Sequence, residues 1–562
     1  MTPDTQTSQK NILRMNFRQR PVDGIALKNL IQAGLIWLRT NQQVVNSLNV
    51  FPVPDGDTGT NMVLTMQSAL DEIADSAERN FGKMAHSVAH GALMGARGNS
   101  GVILSQLWRG FARAVDSQDF LDAPSFARAF AAARDTAYKG VVRPVEGTIL
   151  TVAKDIAAAA ETALGHTDDP FTLLEFVVKA ADQSVERTPE LLPVLKDAGV
   201  VDAGGKGLFY ILEGMLRYAN GQGLELPVTA VQPLSAMVLG EAIETIEPGQ
   251  DVEVVVDFKP HSSLDIEDFY RTLEGMGTSI QVGEGDGLYR FHIHVPLENQ
   301  YKPIEYAKSL GTFTRVTMEN LIAQMEDLEA SRGGSKLTLA QVEQNQIAVV
   351  VVSPGRGISR IFASLGAAAV VEGGQTMNPS TEEIIQAFVN LPTDRIIILP
   401  NNKNIILAAS NAATLTVKKV AVIPCKSIPQ GLAAILRLAP DGDFEAVVEE
   451  MTAAINEVVT GEITTATRSV EIKKVSTKEG QFIALLNGEL VLAAKNLEGA
   501  CLGLLEKAHA DHYELITLFS GAGISNIEAN RIGDLIRQRY SRQEIEVKEG
   551  GQPHYHFILS IE

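Results

Sequence analysis

Between Asp23 and Ala219 apolar residues recur every three or four positions without one-by-one alternation, and beyond residue 250 that spacing changes. So long a stretch with one period reads as helices throughout, and a switch of period starts a different kind of layer. Leu27, Leu30, Ile31 and Leu38 fall on one helix face behind Asp23, which can cap it. The spacing returns in Met62, Met66, Ala69 and Ile73, in Val102, Ile103, Leu107 and Phe111, and in Leu208, Ile211, Leu212 and Met215. The expectation is an all-α bundle over residues 23–220, behind a leader over 1–22 expected to be disordered.

Residues 221–250 are punctuated by Gly and Pro and read as a linker. VEVVVDF and LYRFHIHV then read as strands with a helix from Ile266 to Met276 between them, a small α+β domain over 251–326. The polar stretch 327–345 reads as a second linker. From 346 to 562, IAVVVV, AAVV, RIIIL and VAVI are short β-branched runs separated by helical segments, the pattern of buried parallel strands. EIKKV, FIALLNGELVLAA with its Asn-Gly turn, ELITLF and YHFILSIE add a second α/β lobe.

At 562 residues the chain exceeds one hydrophobic core, and three or more domains are expected. Its net charge of −20, without a basic run, argues against nucleic acid as a partner. Two cysteines cannot build a disulfide framework, no run of about 18 apolar residues exists, and the N-terminus lacks the apolar stretch of a secretory signal. The expectation is a cytoplasmic multidomain protein with no membrane insertion.

In LNVFPVPDGDTGTNM, Asp55 and Asp57 stand one residue apart in a turn before a helix. Two such carboxylates can converge on one hard cation, and Thr58, Gly59, Thr60 and Asn61 offer hydroxyls, an amide and helix-start N–H groups to phosphate. The alternative is an Asp-Gly turn that caps a helix. GARGNSG, with Asn99, Ser100 and Gly101, and VVDAGGKG, with Asp202 and Gly204, are two more Gly-rich helix starts. A bundle does not need three of them, so together they favour a magnesium–nucleotide site over packing. Substituting Asp57 is expected to leave the fold intact, as for an exposed turn residue.

These stretches, with PVEGTIL and the C-terminal SPGRG, EGGQTMNPST, LPNNKNI and PCKSIPQGLAA, resemble the catalytic subunit of fatty acid kinases over residues 23–562. The resemblance implies a DhaL-type helical domain that binds ATP and magnesium, and a DegV/DhaK-like α/β C-terminal domain that docks a partner. It implies Asp55, Asp57 and Asn49 on magnesium, and Thr58, Gly59, Thr60, Asn61, Asn99, Ser100 and Gly101 around the phosphates. Thr148 and Asp202, Ala203 and Gly204 would line the nucleotide, with Arg187 as a phosphate contact. The implied reaction phosphorylates a fatty acid, carried by a separate DegV-type binding protein, to an acyl phosphate for phospholipid synthesis. Rival readings are a dihydroxyacetone-type kinase, whose histidine-bound substrate finds no His in these C-terminal loops, and a non-catalytic nucleotide-binding scaffold. The middle domain is implied to form a homodimer.

In that middle domain His292 and His294 share one strand face, about 6.6 Å apart, and can bind zinc if a third ligand arrives. The family's strand carries a cysteine nearby that this chain lacks; His261 and Asp257 are the local candidates to complete the set. In the C-terminal domain, Ser353 to Gly357 is a candidate anion nest and Asn401 to Asn404 a ligand or turn loop. Cys425 and Cys501 are expected to be buried thiols.

Overall fold

The structure is a computed structural model that describes residues 21–49, 56–141, 143–224, 232–233, 251–262, 264–285, 288–320, 337–375, 377–466, 470–472 and 475–562. Asp55, most of the leader, most of the first linker and residues 327–336 of the second therefore lie outside the described residues. The chain forms two compact units, one of residues 1–224 with 337–562 and one of residues 225–336.

The first unit begins with helices α1 (Gly24–Thr40), α2 (Gln42–Leu48), α3 (Thr58–Asp71), α4 (Phe81–Met94), α5 (Gly98–Ala114), α6 (Ala123–Lys139), α7 (Ile149–Ala163), α8 (Pro170–Leu191), α9 (Pro193–Ala198) and α10 (Ala203–Ala219). Local chemistry starts most of them. Asp23, Asn80, Asp122, Thr148, Asp169 and Asp202 each accept a hydrogen bond from a first-turn amide that would otherwise lack a partner. Their apolar faces meet in one core, where Phe111 packs edge-on to Trp108, Phe126 and Phe130 with ring centroids 5.6, 6.0 and 6.1 Å away. Beside these rings lies a cavity of about 80 Å³ lined almost entirely by carbon, from Leu107, Trp108, Phe126, Phe130 and Leu174.

The unit continues with a four-stranded parallel sheet, order β7-β6-β8-β9, made of β6 (Ile347–Ser353), β7 (Ala367–Glu372), β8 (Arg395–Leu399) and β9 (Lys419–Val422). These are the four β-branched runs, and β6 is buried at every position. Helices α13 (Arg356–Ser364), α14 (Thr381–Val389), α15 (Ile406–Thr414), α16 (Ile428–Ile435) and α17 (Phe444–Ala454) cover it. The second lobe is a six-stranded mixed sheet, order β14-β13-β10-β17-β15-β16. Its strands are β10 (Val459–Thr465), β13 (Phe482–Leu486), β14 (Glu489–Ala494), β15 (Leu515–Ser520), β16 (Glu544–Glu549) and β17 (Tyr555–Ile561). Helices α18 (Leu497–Lys507) and α19 (Asn526–Arg539) pack on it, and β11 (Val470–Ile472) pairs with β12 (Val475–Thr477) apart from it. Asn487 and Gly488, both at positive φ, turn β13 into β14 as the Asn-Gly signal expects. Phe519, Tyr555 and Ile558 of the second sheet pack into the core of the first, so the lobes share an apolar centre.

The second unit is a five-stranded sheet, order β1-β3-β4-β2-β5, of β1 (Gln232–Pro233), β2 (Val252–Pro260), β3 (Thr278–Gly285), β4 (Leu288–Val295) and β5 (Gly311–Asn320). Helices α11 (Ile266–Glu274) and α12 (Lys302–Leu310) pack Phe269, Leu273 and Ala307 onto its Val254, Val256, Phe258, Phe291 and Ile293 face. The expected two strands and one helix are present. β5 escapes sequence reading because a bulge at Asp257/Phe258 shifts its register, so no unbroken alternation marks it.

Candidate functional site

Four helix starts gather at one end of the bundle. Asn61 in the first turn of α3 lies against Gly98 at the start of α5, where a methyl group on Gly98 would stand 2.6 Å from Asn61 Nδ2. Gly98 also has φ +56°, so glycine is required there on two counts. Met62 of α3 packs on Gly207 of α10, and the Asp202 carboxylate accepts from the amides of Gly205 in α10 and Ile149 in α7. α3, α5, α7 and α10 thus bring their positive ends toward one region, an arrangement suited to a polyanion.

Asp57 stands at the head of α3. The residue is 5% exposed, so the expectation of an exposed turn residue is corrected: Asn378 of the C-terminal domain lies on its carboxylate. Asn378 Nδ2 donates to Asp57 Oδ2 at 2.5 Å, and Asn49 Nδ2 approaches Oδ1 at 3.5 Å. Asn49 therefore adjoins the carboxylate with a donor turned toward it. The amides of Gly59 and Thr60 both donate to Asn46 Oδ1, at 2.7 and 3.2 Å, and Asn46 and Gln42 donate to Thr60 Oγ1. These hydrogen bonds spend the two amides on α2; Thr58 and Asn61, both buried, complete the turn.

Asn99, Ser100 and Gly101 form the first turn of α5, with Gly101 packed against Thr65. Thr148 caps α7 and donates to Val145 O at 2.7 Å. Asp202, Ala203 and Gly204 begin α10, and burial raises the Asp202 carboxyl to about 6 despite its two amide donors. Arg187 is already engaged: Nη2 donates to Asp155 Oδ2 at 2.6 Å, the same oxygen that accepts from Ser184. It reaches a phosphate only by exchanging that partner.

The C-terminal domain covers this end of the bundle. Arg97, just before α5, donates to Asn378 O at 3.0 Å and to Glu383 Oε1 at 2.8 Å, and Thr381 N donates to Ala96 O at 3.3 Å. Asn99 Nδ2 donates to Asn404 Oδ1 at 3.2 Å, while Ala96 and Val102 pack into the core behind β6 and β8. Sequence reasoning missed Asn46, Arg97 and Asn378. Asn378 sits in the noted EGGQTMNPST stretch, but nothing local signals a contact 321 residues away.

Glycines of the SPGRG loop serve packing: a methyl group on Gly357 would lie 1.9 Å from Glu549 O, and Ile358 N donates to Gly550 O. Asn401, at φ +56°, ties its loop to Val352 O and to Cys425. A polar pocket of about 40 Å³ opens beside it, bordered by Asn402, Lys426, Glu462, Gln552 and Tyr555. Burial pushes the Glu462 carboxyl up to about 7, opposed by Lys403 and Tyr555. Both cysteines are buried, and burial pushes their thiols up to about 12.

In the middle unit, Glu253, His292 and His294 bring ligand atoms within 4.8 Å of one another. Glu253 lies opposite His294 in the β2–β4 register, and its carboxylate is 2.9 Å from His292 Nε2. His294 Nδ1 is buried without a hydrogen-bond partner, and burial, then His292, lowers its pKa. The expected helpers are corrected: Arg290 holds Asp257 at 2.6 and 2.7 Å, and His261 pairs with Thr312. The alternation of VEVVVDF puts Glu253 on the same face as Asp257, a signal that could have found it.

No described helix is long and apolar enough to cross a membrane. A DAK2 domain model matches residues 52–217, and FakA-like fatty acid kinase models match 247–328 (middle domain) and 348–562 (C-terminal). Protein YloV of Bacillus subtilis (strain 168) is 39% identical over 554 residues, 97% of this chain and 100% of its own. Uncharacterized protein SAR1202 of Staphylococcus aureus (strain MRSA252) is 38% identical over 549 residues, 96% of this chain and 99% of its own. Among solved structures, the DegV family protein Cg2579 from Corynebacterium glutamicum aligns with a TM-score of 0.30 and 17% identity, over 38% of this chain and 96% of that one. Helical, middle and C-terminal segments each match in order and near-full-length relatives agree, so the chain belongs to the FakA-like fatty acid kinase family.

Proposed function

We propose that the protein is an ATP- and magnesium-dependent phosphotransferase that converts a fatty acid, presented by a DegV-type binding protein, into an acyl phosphate for phospholipid synthesis. The observation that carries this reading is a buried carboxylate, Asp57, at the head of one of four converging helix starts. The site also fits a cation in its donor set: beside Asp57 the carboxamide oxygen of Asn378 is buried and lacks a hydrogen-bond partner. Asp57, with Asp55 and Asn49, would hold magnesium, which supplies charge neutralisation at the phosphates. The positive helix ends of α5, α7 and α10, with those first-turn amides not already given to Thr148 and Asp202, orient the nucleotide. A fatty acid carboxylate is already ionised at neutral pH, so the chain need not supply a general base. The docking role belongs to the C-terminal domain and self-association to the middle domain, which light scattering on the intact chain would test.

The test is purified protein with magnesium, labelled ATP and an oleate-loaded DegV-type protein. Label on the fatty acid that requires both proteins supports the reading. Binding of ATP without transfer to any fatty acid sinks it in favour of a scaffold, and transfer to dihydroxyacetone instead favours the small-carbonyl kinase.

A second metal belongs to this reading. Glu253, His292 and His294 would hold zinc in the middle domain, supported by the unpartnered His294 Nδ1 and by a donor set of two imidazoles and a carboxylate. Elemental analysis of the purified chain that finds no zinc, before or after zinc loading, refutes it.

A further inference from the structure

Asn378 belongs to the C-terminal domain, yet its side chain ends on the carboxylate that heads the kinase site. The backbone around it is fixed from several directions. Arg97 Nη1 donates to Asn378 O, Arg97 Nη2 reaches Glu383, and Thr381 N donates to Ala96 O. Ser380 and Glu383 close a capping box that starts α14 just beyond it. The residue is 2% exposed. So much local order holds one amide over one carboxylate.

A domain clamp alone does not account for the chemistry of that amide. Its nitrogen satisfies Asp57, but its oxygen is buried without a partner, a condition that ordinarily costs about 1–3 kcal/mol. An orphaned acceptor beside a carboxylate makes a surplus of oxygen lone pairs, which is what a hard cation wants and what a hydrogen-bonded interface avoids. Spacing agrees. The Asn378 amide stands 2.5 Å from Asp57 Oδ2, near enough for both side chains to reach one cation. Half a turn of that amide exchanges its nitrogen for its oxygen without moving the backbone.

We infer that Asn378 is a magnesium-site residue contributed by the C-terminal domain, so that the kinase centre is complete only when that domain is docked on the bundle. The inference rests on the assignment of Asp57 as a cation ligand and adds a residue from the opposite domain. It also gives the partner-binding domain a direct hold on the catalytic cation.

The test titrates magnesium into the intact chain saturated with a non-hydrolysable ATP analogue, by calorimetry, for wild type, Asn378→Ala, Asn378→Asp and Asp57→Asn. Asn378→Ala should raise the half-saturating magnesium concentration about tenfold, the usual effect of losing an oriented ligand partner. Asn378→Asp, which keeps an oxygen in place, should match or tighten wild type. A merely structural amide that competes with the cation for Asp57 predicts the opposite sign for Asn378→Ala. Unchanged or tighter binding in Asn378→Ala, or binding in Asn378→Asp as weak as in Asn378→Ala, overturns the inference. Should Asn378→Ala fail to fold, Asn378→Asp decides alone: a rise in half-saturation overturns the idea and its absence supports it. If Asp57→Asn binds magnesium like wild type, the Asp57 assignment fails first and takes this inference with it.

Discussion

Replacing Asp57 with Asn separates what the carboxylate does for the fold from what it does for the cation. The Asn378–Asp57 hydrogen bond is charge-assisted, worth about 1.5–3 kcal/mol, against about 1 kcal/mol for its neutral counterpart. Asp57→Asn keeps the shape and an acceptor, so in EDTA it should cost roughly 1 kcal/mol, a Tm lower by about 2–4 °C in a domain of this size. Magnesium plus nucleotide at a hundred times Kd should stabilise wild type by about 2.7 kcal/mol, which is about 5–11 °C. In the variant that gain should vanish while the EDTA baseline moves only slightly. Thermal unfolding of the intact chain in EDTA, in magnesium, and in magnesium with a non-hydrolysable ATP analogue reads all three terms. A variant that retains the full ligand-induced shift refutes the assignment of Asp57.

The Glu462 carboxyl titrates near 7 in the fold and near the ordinary carboxylate value when unfolded, so the folded state holds the proton more tightly. Stability should therefore fall as pH rises from about 4.5 to 7. Glu462→Gln should match wild type near pH 4 and exceed it by roughly 1–3 kcal/mol at pH 8 in urea unfolding. Asn46→Ala removes the acceptor that caps the Gly59 and Thr60 amides and should cost about 1 kcal/mol, measured the same way. Glu253→Gln should lower zinc occupancy in elemental analysis while circular dichroism is unchanged; equal zinc in both proteins would count against that donor set.

Sequence made the helical bundle legible because its faces are amphipathic and its starts carry side-chain caps, as at Asp23 and Asp202. The parallel strands were legible because buried β-branched runs have few other uses. β10, at the centre of the second sheet, was not, since VTGEITT carries three threonines and a glycine where a core strand usually shows branched apolars. At the site, local order shows that Asp57 heads a helix, but not that it is buried. Its contact with Asn378 is a tertiary fact without a local trace, whereas the face of Glu253 is readable from alternation and only its pairing with His294 needs the sheet register.

The carbon-lined cavity beside Phe111 and Trp108 makes the bundle sensitive to hydrostatic pressure. Its 80 Å³ amounts to about 50 mL/mol of space, and the volume lost on unfolding scales with such space within a range of about 20–100 mL/mol. At 2 kbar that volume alone is worth roughly 2.4 kcal/mol, a large share of a domain's stability. Compression should therefore melt the helical half first and release the C-terminal domain from its hold on Asp57 before the sheets give way.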